Sequence, residues 1–334
     1  MLLMREIHSG VVSTRAPGTW SHSYSGGWLR FQTWCAQRTP PRVACPAEPL
    51  TVALYLQSVA REANTYSVVK SASGMIHSVH ELSLVPLESI PTKDPLCKLV
   101  RGAAKRHLGL ALVNQKEPLT LEILQSAVSL YAMDLSSTVP IVQLMLAVMA
   151  LVMYVGFLRY QDMVVVMADA VAFYPDHMEI FIPVRKTDQF RLGDVLYVAR
   201  GSYRDSCPVH LTQLYMDRAG LGGMHVPLIQ GFDGRKVRGS RFQGVQLDGT
   251  AIPYHQCRRH FIRMMARAMG VPEAEATVLI GTQSCRSGGA TRVATSVDFR
   301  LFQQHGAWRT SASAHRYILD STDTRLSVTR AMGY

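Results

Sequence analysis

The stretch from Ile141 to Phe157 constrains the fold of this chain more than any other. Gln143 is the only strongly polar side chain among its 17 residues, so no face of a helix here would suit water. That length is also the lower limit for crossing a bilayer, but Arg159 and Asp162 follow closely. We therefore predict a helix buried in the middle of a domain and give less weight to a membrane span.

The chain is long enough to supply such a domain and a second one. Its 334 residues exceed what one hydrophobic core usually serves, and 48% hydrophobic against 18% charged residues indicate a folded protein. The Asn-Gln-Lys-Glu-Pro run at 114–118 interrupts the helical pattern. We predict one domain over residues 1–113, with 1–12 disordered, and another over residues 114–334.

Apolar spacing predicts a mainly α fold with a small antiparallel β-sheet, the α+β class. Alternation with a period of two over 178–184 and 195–199 predicts a hairpin whose turn carries Lys186. The segment 231–249, rich in Gly, Arg and Gln, is predicted as an exposed loop. Helical spacing predicts helices at 13–36, 50–61, 66–80, 94–107, from Thr120 to Tyr131, 142–160 and 254–269.

In the first predicted helix, large aromatic side chains recur every three or four residues. This spacing places them on one helical face, where a packing stripe is the simpler explanation and stacking on nucleic-acid bases the sharper alternative. They are Trp20, Tyr24, Trp28, Phe31 and Trp34.

The charge balance favours a polyanionic partner, with nucleic acid as the first candidate. Lys and Arg outnumber Asp and Glu by 35 to 24, for a net charge of +11. The predicted helix 94–107 carries several cations near one face. Either this face is only solvated or it contacts phosphate, and both interpretations stay open. Its cations are Lys98, Arg101, Lys105 and Arg106.

The cysteines and the first residues indicate where the protein resides. None of the 6 cysteines forms a C-x-x-C pair or a metal-ligand spacing with histidines, so we predict reduced thiols. The first six residues lack the apolar core of a secretory signal. We expect an intracellular protein, nuclear if the host is eukaryotic.

Separated polar segments carry the candidate chemistry. Arg159, with Asp162 three places on, offers the planar cation that suits two phosphate oxygens. In 283–291, positions 283 and 286 are one helical turn apart and share a face. Trp308 and Tyr317 are nine residues apart, which one straight helix would place on opposite faces, so the chain must bend if they share a site.

In order and spacing these segments resemble the active site of the tyrosine recombinases, the phage-integrase superfamily, in a form similar to those of eukaryotic mobile elements. The resemblance covers nearly the whole chain. Residues 13–113 are similar to the family's helical, SAM-like core-binding domain, and residues 115–330 to its catalytic domain.

The resemblance implies a site-specific DNA recombinase or integrase that cleaves and rejoins double-stranded DNA through a 3′-phosphotyrosyl intermediate. The energy of the broken bond stays in that intermediate, so no metal, nucleotide or other cofactor is implied. A homo-oligomer is also implied, a tetramer that holds two duplexes. The segment 325–334 would be either a docking segment for a neighbouring protomer or an untethered tail.

The same resemblance assigns roles to the matching residues. Tyr317 would be the nucleophile, and Lys186 would protonate the leaving oxygen. Arg159 and Arg286 would stabilise the charge that develops on the phosphate.

Two further positions, Gln283 and Trp308, would supply supporting hydrogen-bond donors. The family has histidine or tryptophan at the second and usually histidine at the first. A glutamine donates a hydrogen bond but cannot shuttle a proton or carry charge. Three alternatives stay open: an active recombinase, an impaired one that only binds DNA, and a type IB topoisomerase, which shares the chemistry but relaxes supercoils as a monomer.

Overall fold

A computed structural model of the protein describes residues 24–109, 116–132, 139–185, 192–238, 241–315, 317, 326–327 and 329–333. The chain divides into two compact units, Met1–Asn114 and Gln115–Tyr334, one residue after the boundary predicted from the sequence. The disorder predicted for 1–12 and the helix predicted for 13–23 lie outside the described residues.

The first unit is helical, and two of its α-helices begin at clear sequence signals. Pro49 and Pro95 occupy first helical positions, where the missing N–H costs no hydrogen bond. The Asp94 carboxylate accepts a hydrogen bond from the Leu96 N–H at 2.8 Å. The helices are α1 (Ser25–Ala36), α2 (Pro49–Glu62), α3 (Tyr66–Leu82) and α4 (Pro95–Leu108), each close to its predicted range.

The described part of the aromatic stripe packs against α2, which confirms the packing interpretation for it. Phe31 is fully buried, with its ring 4.8 Å from that of Tyr55. Trp34 meets the same tyrosine edge-on at 5.4 Å, and the Trp28 ring packs at a tilt against Phe31 at 5.5 Å. Trp20 lies outside the described residues.

The four cations of α4 do not form one equivalent face. Arg101 donates hydrogen bonds to the Ser73 hydroxyl at 3.1 Å and to the Thr92 carbonyl at 3.0 Å, so it ties α4 to α3. Lys98, together with Lys105 and Arg106, is exposed. The basic surface that solvent or phosphate can reach is therefore smaller than the sequence predicts.

The second unit combines helices with two small antiparallel sheets, and the predicted α+β class is confirmed. In one sheet the strand order is β1-β2-β3, and in the other β4 pairs with β5. The strands are β1 (Val171–Phe173), β2 (His177–Ile182), β3 (Asp194–Ala199), β4 (Gln230–Phe232) and β5 (Leu247–Ala251). The helices are α5 (Leu121–Ala132), α6 (Ile141–Val155), α7 (Tyr160–Met163), α8 (Pro208–Ala219), α9 (Tyr254–Met269), α10 (Glu273–Leu279), α11 (Gln283–Val293), α12 (Phe299–His305) and α13 (Ser311–His315).

Helix α6 is the centre of this unit, as its sequence requires. All residues from Leu144 to Tyr154 are buried, because α5, α8 and α11 pack around it. In the described part of the chain, no helix is long and apolar enough to cross a membrane.

The predicted helix 142–160 is wrong at its end, since α6 stops at Val155. Phe157 has a positive φ of 48°, and Arg159 is extended. The Asp162 carboxylate accepts the Arg159 N–H at 3.0 Å and starts α7, so a local cap outweighs helical continuation. Arg159 therefore stands between two helices.

The predicted hairpin is present as the antiparallel pair β2–β3, in which Ile182 faces Asp194. Its turn, with Lys186, lies outside the described residues. The predicted exposed loop 231–249 is wrong in part, because it contributes to β4 and β5 and buries Phe232 and Phe242. Burial of these aromatic rings outweighs the surrounding Gly and Arg content.

His260 of α9 is buried against the two rings that this segment contributes. Its centroid is 5.0 Å from Phe232 and 5.5 Å from Phe242. Burial, with the charges of Arg263 and Arg259, lowers the pKa of His260 to about 4. The ring is therefore neutral in the folded protein at physiological pH.

We expect His260 to make the folded state less stable as pH falls from 7 to 5. In the unfolded chain the ring takes up a proton near pH 6.5, while the folded ring resists protonation down to about pH 4. This difference is worth about 2 kcal/mol over that window. Urea unfolding at pH 7 and pH 5 should show that the unfolding free energy of His260→Phe falls less between the two pH values than that of wild type. An equal fall in variant and wild type would contradict the prediction.

Candidate active site

The site is built on α11, which lies unusually close to its neighbours. A Cβ at Gly288 would stand 2.0 Å from the Leu119 carbonyl oxygen, and one at Gly289 would stand 2.1 Å from that of Tyr154. Only residues without a side chain allow this approach. The small residues after Arg286 therefore bring that arginine into the interior, as their size predicts.

Arg286 is the buried cation of the site, with 1% of its surface exposed. Its guanidinium donates to the carbonyl of Phe157 and, at 2.7 Å, to the carbonyl of Gly306. Burial and the charge of Arg159 lower its pKa to about 10, so it stays charged at neutral pH. Within the described ranges its Nε has no hydrogen-bond partner, which leaves donor capacity for a ligand.

Trp308 forms a platform under this guanidinium. The Arg286 carbon Cζ stands 4.7 Å from the Trp308 ring centroid and 5.1 Å from that of Tyr317. The two rings are 5.2 Å apart, and Phe302 packs on the tryptophan at 4.8 Å. The indole Nε1 is buried with no acceptor among the described residues.

The bend predicted between Trp308 and Tyr317 is present. Trp308 follows α12 after Ala307, whose φ is 48°, and α13 then separates the two aromatic residues. A Cβ at Gly306 would stand 2.1 Å from the indole, so the tryptophan fills the space beside this glycine.

Tyr317 lies in a turn just after α13. Its N–H bonds the Ala314 carbonyl at 3.0 Å, and its own carbonyl accepts from the Thr291 hydroxyl at 2.8 Å. Its phenol oxygen bonds the Gln283 side-chain amide, with 3.3 Å between Nε2 and Oη. Tyr317 is thus tied to α11 by both its backbone carbonyl and its phenol oxygen.

The electrostatic environment favours the ionised phenol. Burial raises the pKa of Tyr317, but the charges of Arg286 and Arg159 outweigh it and lower the pKa below its ordinary value. Arg159 has 23% of its side chain exposed and lies 3.7 Å from the buried carboxylate of Asp162. Its charge acts both on the phenol of Tyr317 and on Arg286.

The structure brings together Arg159, Gln283, Arg286, Trp308 and Tyr317, while Lys186 lies outside the described residues. Sequence reasoning missed three neighbours: Arg185, Asp194 and His305. They also line a cavity of about 530 Å³ beside Phe157 and Phe302. For Arg185, the position next to Lys186 is a signal in the sequence. For Asp194 and His305 the sequence analysis found none.

The described residues contain no group of three or more His, Cys, Asp or Glu side chains that could hold a metal ion. The six cysteines are unpaired thiols, and Cys45 alone among them is not buried.

Comparison with known proteins gives a distant sequence relative and several related folds. No family model matches the chain. A curated relative, the integrase/recombinase XerD homolog of Selenomonas ruminantium, is 22% identical over 302 residues, which make up 89% of this chain and 80% of that protein.

Three solved structures resemble the fold. The Tn1549 transposon integrase in complex with transposon right end DNA has a TM-score of 0.55 at 11% identity and covers 99% of both chains. The XerH site-specific recombinase bound to palindromic difH substrate has a TM-score of 0.51 at 11% identity, over 94% of this chain and 79% of that one. A lambda integrase tetramer bound to a Holliday junction gives 0.50 at 11% identity, over 95% and 76%.

A helical unit followed by a mixed unit with this topology is the fold of DNA integrases and recombinases. In sequence the chain is similar to one integrase/recombinase, and in fold it is similar to integrases and recombinases of the tyrosine recombinase, or phage integrase, superfamily. The particular similarity to members from eukaryotic mobile elements stays a prediction.

We expect Gly289→Ala to destabilise the second unit by about 1–3 kcal/mol, because its Cβ would overlap backbone and the Phe157 ring. Alanine is more favourable than glycine in a helix by about 1 kcal/mol. Helix propensity alone would therefore stabilise the variant, and a loss of stability must come from the overlap. Urea unfolding measures the effect. Gly222→Ala is the control, since nothing lies within 4 Å of its added Cβ. Unchanged stability of Gly289→Ala would contradict the close packing of α11.

Proposed function

We propose that this protein is a site-specific DNA recombinase that cleaves and rejoins double-stranded DNA through a covalent tyrosine intermediate. The observation that carries the proposal is the phenol of Tyr317, which stands between the Gln283 amide and two guanidinium groups. A phenol with a lowered pKa beside fixed positive charge suits attack on a phosphodiester.

In the proposed reaction the Tyr317 oxygen attacks the phosphorus, loses its proton, and forms a 3′-phosphotyrosyl bond. The bond to the 5′-oxygen breaks, and that oxygen takes a proton and leaves as a hydroxyl. A second DNA 5′-hydroxyl reverses these steps and completes strand exchange. No other reactant is consumed, because the covalent bond keeps the energy of the broken one.

Arg286 and Arg159 would carry most of the electrostatic stabilisation. The attacked phosphate gains charge on its nonbridging oxygens, and rigid guanidinium groups suit their geometry. Arg286 is held by two carbonyls, so it needs little reorganisation during the reaction. We assign the donation of the leaving-group proton to Lys186, on the resemblance alone.

Gln283 and Trp308 would act as supporting groups. The Gln283 amide already donates to the phenol oxygen and would hold it for attack. Trp308 would mainly fix the relative positions of Arg286 and Tyr317, since its ring contacts both.

We also propose that residues 1–113 serve as the core-binding domain and that four protomers act on two duplexes. The net charge of +11 supports a DNA partner. The similarity in fold to lambda integrase, which forms a tetramer on a Holliday junction, supports the assembly. A DNA-binding protein without cleavage is the second candidate, because Gln283 cannot shuttle a proton at the phenol.

Wild-type protein should form a covalent adduct with a nicked duplex, and Tyr317→Phe should not. A nick lets the short released strand diffuse away and traps the intermediate. The substrate is a pool of nicked duplexes with a randomised core, and the adduct is detected as protein that retains labelled DNA after denaturation. Tyr203→Phe, at a tyrosine that is 79% exposed, is the control and should behave as wild type.

If wild type shifts DNA on a gel but forms no adduct, the second candidate function replaces the first. An adduct formed equally well by Tyr317→Phe would remove Tyr317 as the nucleophile.

We expect Gln283→His to accelerate adduct formation, and Gln283→Ala to slow it through loss of the hydrogen bond to the phenol. Proton transfer by a well-placed side chain is worth about 100-fold or more in rate, which sets the upper range for the histidine variant. Single-turnover rates of adduct formation, on a duplex from the pool that wild type cleaves, measure both effects. Unchanged rates in both variants would show that position 283 does not act at the phenol.

A further inference from the structure

His305 is a half-buried histidine that the proposed reaction does not use. It ends α12, and its ring Nε2 lies 2.7 Å from the carbonyl oxygen of Val155, the last residue of α6. A carbonyl oxygen can only accept, so Nε2 carries the proton and donates it. The ring also packs edge-on against Phe157, with 4.7 Å between the centroids. One hydrogen bond and one ring contact thus join His305 to the end of α6.

This hydrogen bond stands between two turns with left-handed backbone. Phe157, two residues after Val155, has a φ of 48°, and Ala307, two residues after His305, has the same value. Residues other than glycine keep such a conformation only where the surrounding contacts fix it. The bond between His305 and Val155 joins the chain just before each turn, so it holds the two turns against each other.

The same turns present the two carbonyls that hold Arg286. Its Nη1 donates to the Phe157 carbonyl and its Nη2 to the Gly306 carbonyl at 2.7 Å. Phe157 is the left-handed residue of one turn, and Gly306 lies between His305 and Ala307 in the other. The spacing of the two acceptors therefore depends on the bond that His305 makes. With both Nη atoms engaged, Nε is the donor that no described residue occupies.

We infer that His305 is a positioning residue, whose bond to Val155 sets the spacing of the two carbonyls and so directs Arg286 at the phosphate. This inference rests on the proposed function, in which Arg286 stabilises the charge of the attacked phosphate. Without the bond, the guanidinium would itself be the hydrogen-bonded bridge between the two turns. Its orientation would then follow the movements of both.

A histidine supplies this bond without adding charge to the site. Burial lowers the pKa of His305, the hydrogen bond to Val155 raises it, and the charges of Arg185 and Arg286 lower it against that of Asp194. The net shift is downward, so the ring is neutral at pH 7. A lysine or an arginine at this position would place a further cation beside the two guanidinium groups.

His305 could instead only stabilise the fold, and the two roles differ in what they do to the reaction. Loss of a purely structural contact lowers the free energy of unfolding and the fraction of active protein, which slows every substrate equally. Loss of a contact that positions Arg286 costs most where the phosphate carries most charge, because the guanidinium acts on that charge.

The test compares two variants that differ mainly in a hydrogen-bond donor. His305→Gln keeps a side-chain N–H for the Val155 carbonyl, whereas His305→Met has a similar length and no donor. On the nicked duplex that wild type cleaves, we expect His305→Met to form adduct about 100-fold more slowly than wild type, and His305→Gln to lose less than about tenfold. His225→Met, at a histidine whose side chain is 78% exposed, is the control and should match wild type.

The second substrate is the same duplex with a neutral methylphosphonate at the cleaved position. Because a methyl group replaces one charged oxygen, less charge develops there and the guanidinium contributes less. The deficit of His305→Met relative to wild type should therefore shrink by about tenfold or more. Equal deficits on the two substrates would overturn the inference, while the wild-type adduct would leave the proposed function intact.

A titration of the Tyr317 phenol tests the position of Arg286 without DNA. Burial raises the pKa of this phenol, and the charges of Arg286 and Arg159 lower it by more. NMR of protein labelled with ¹³C at the tyrosine Cζ, assigned through Tyr317→Phe, should show a higher pKa in His305→Met and the wild-type value in His305→Gln. An unchanged pKa in His305→Met would overturn the inference. If wild type forms no adduct, the proposed function fails, and this titration still shows whether His305 holds Arg286 at the phenol.

A further background separates positioning from folding. If His305→Met does not fold, the two variants are compared in Ala307→Gly protein, because glycine adopts the left-handed turn without strain. Failure of His305→Met to fold in both backgrounds would also overturn the inference, since the bond would then hold the fold itself.

Discussion

The buried guanidinium of Arg286 is the interaction on which the rest of the site depends. A cation removed from water needs fixed partners, and here they are the carbonyls of Phe157 and Gly306. The first requires α6 to stop and the chain to turn with a positive φ at Phe157. The second requires the segment after α12 to return to α11, which brings Trp308 and Tyr317 against the same cation. Much of the geometry of the site follows from satisfying one charge.

The sequence predicted the helices with strong apolar patterns and the hairpin with clear alternation, because both depend on local spacing. It did not predict α8, α10 or α12. It failed where tertiary contacts decide. The helix predicted to run to Tyr160 stops at Val155, since Asp162 caps the next turn. Segment 231–249 has the composition of a loop, yet Phe232 and Phe242 bury it in part.

The candidate site shows the same division between local and distant information. Motif order identified Arg159, Gln283, Arg286, Trp308 and Tyr317, which the fold brings together. Arg185 was missed because its burial depends on contacts with Asp194 and with the His305 carbonyl, which stand far from one another in the chain. The direct hydrogen bond between Gln283 and the phenol was also beyond the sequence, since it depends on the turn that follows α13.

The two carbonyls that hold Arg286 come from places 129 and 20 residues away in the chain. Before these distant segments pack on α11, Arg286 lacks both carbonyl partners. The arginine would then be a flexible, hydrated side chain, and the tyrosine would have no fixed charge beside it. The charge that lowers the pKa of the Tyr317 phenol is therefore in place only when the segments distant in sequence have packed on α11.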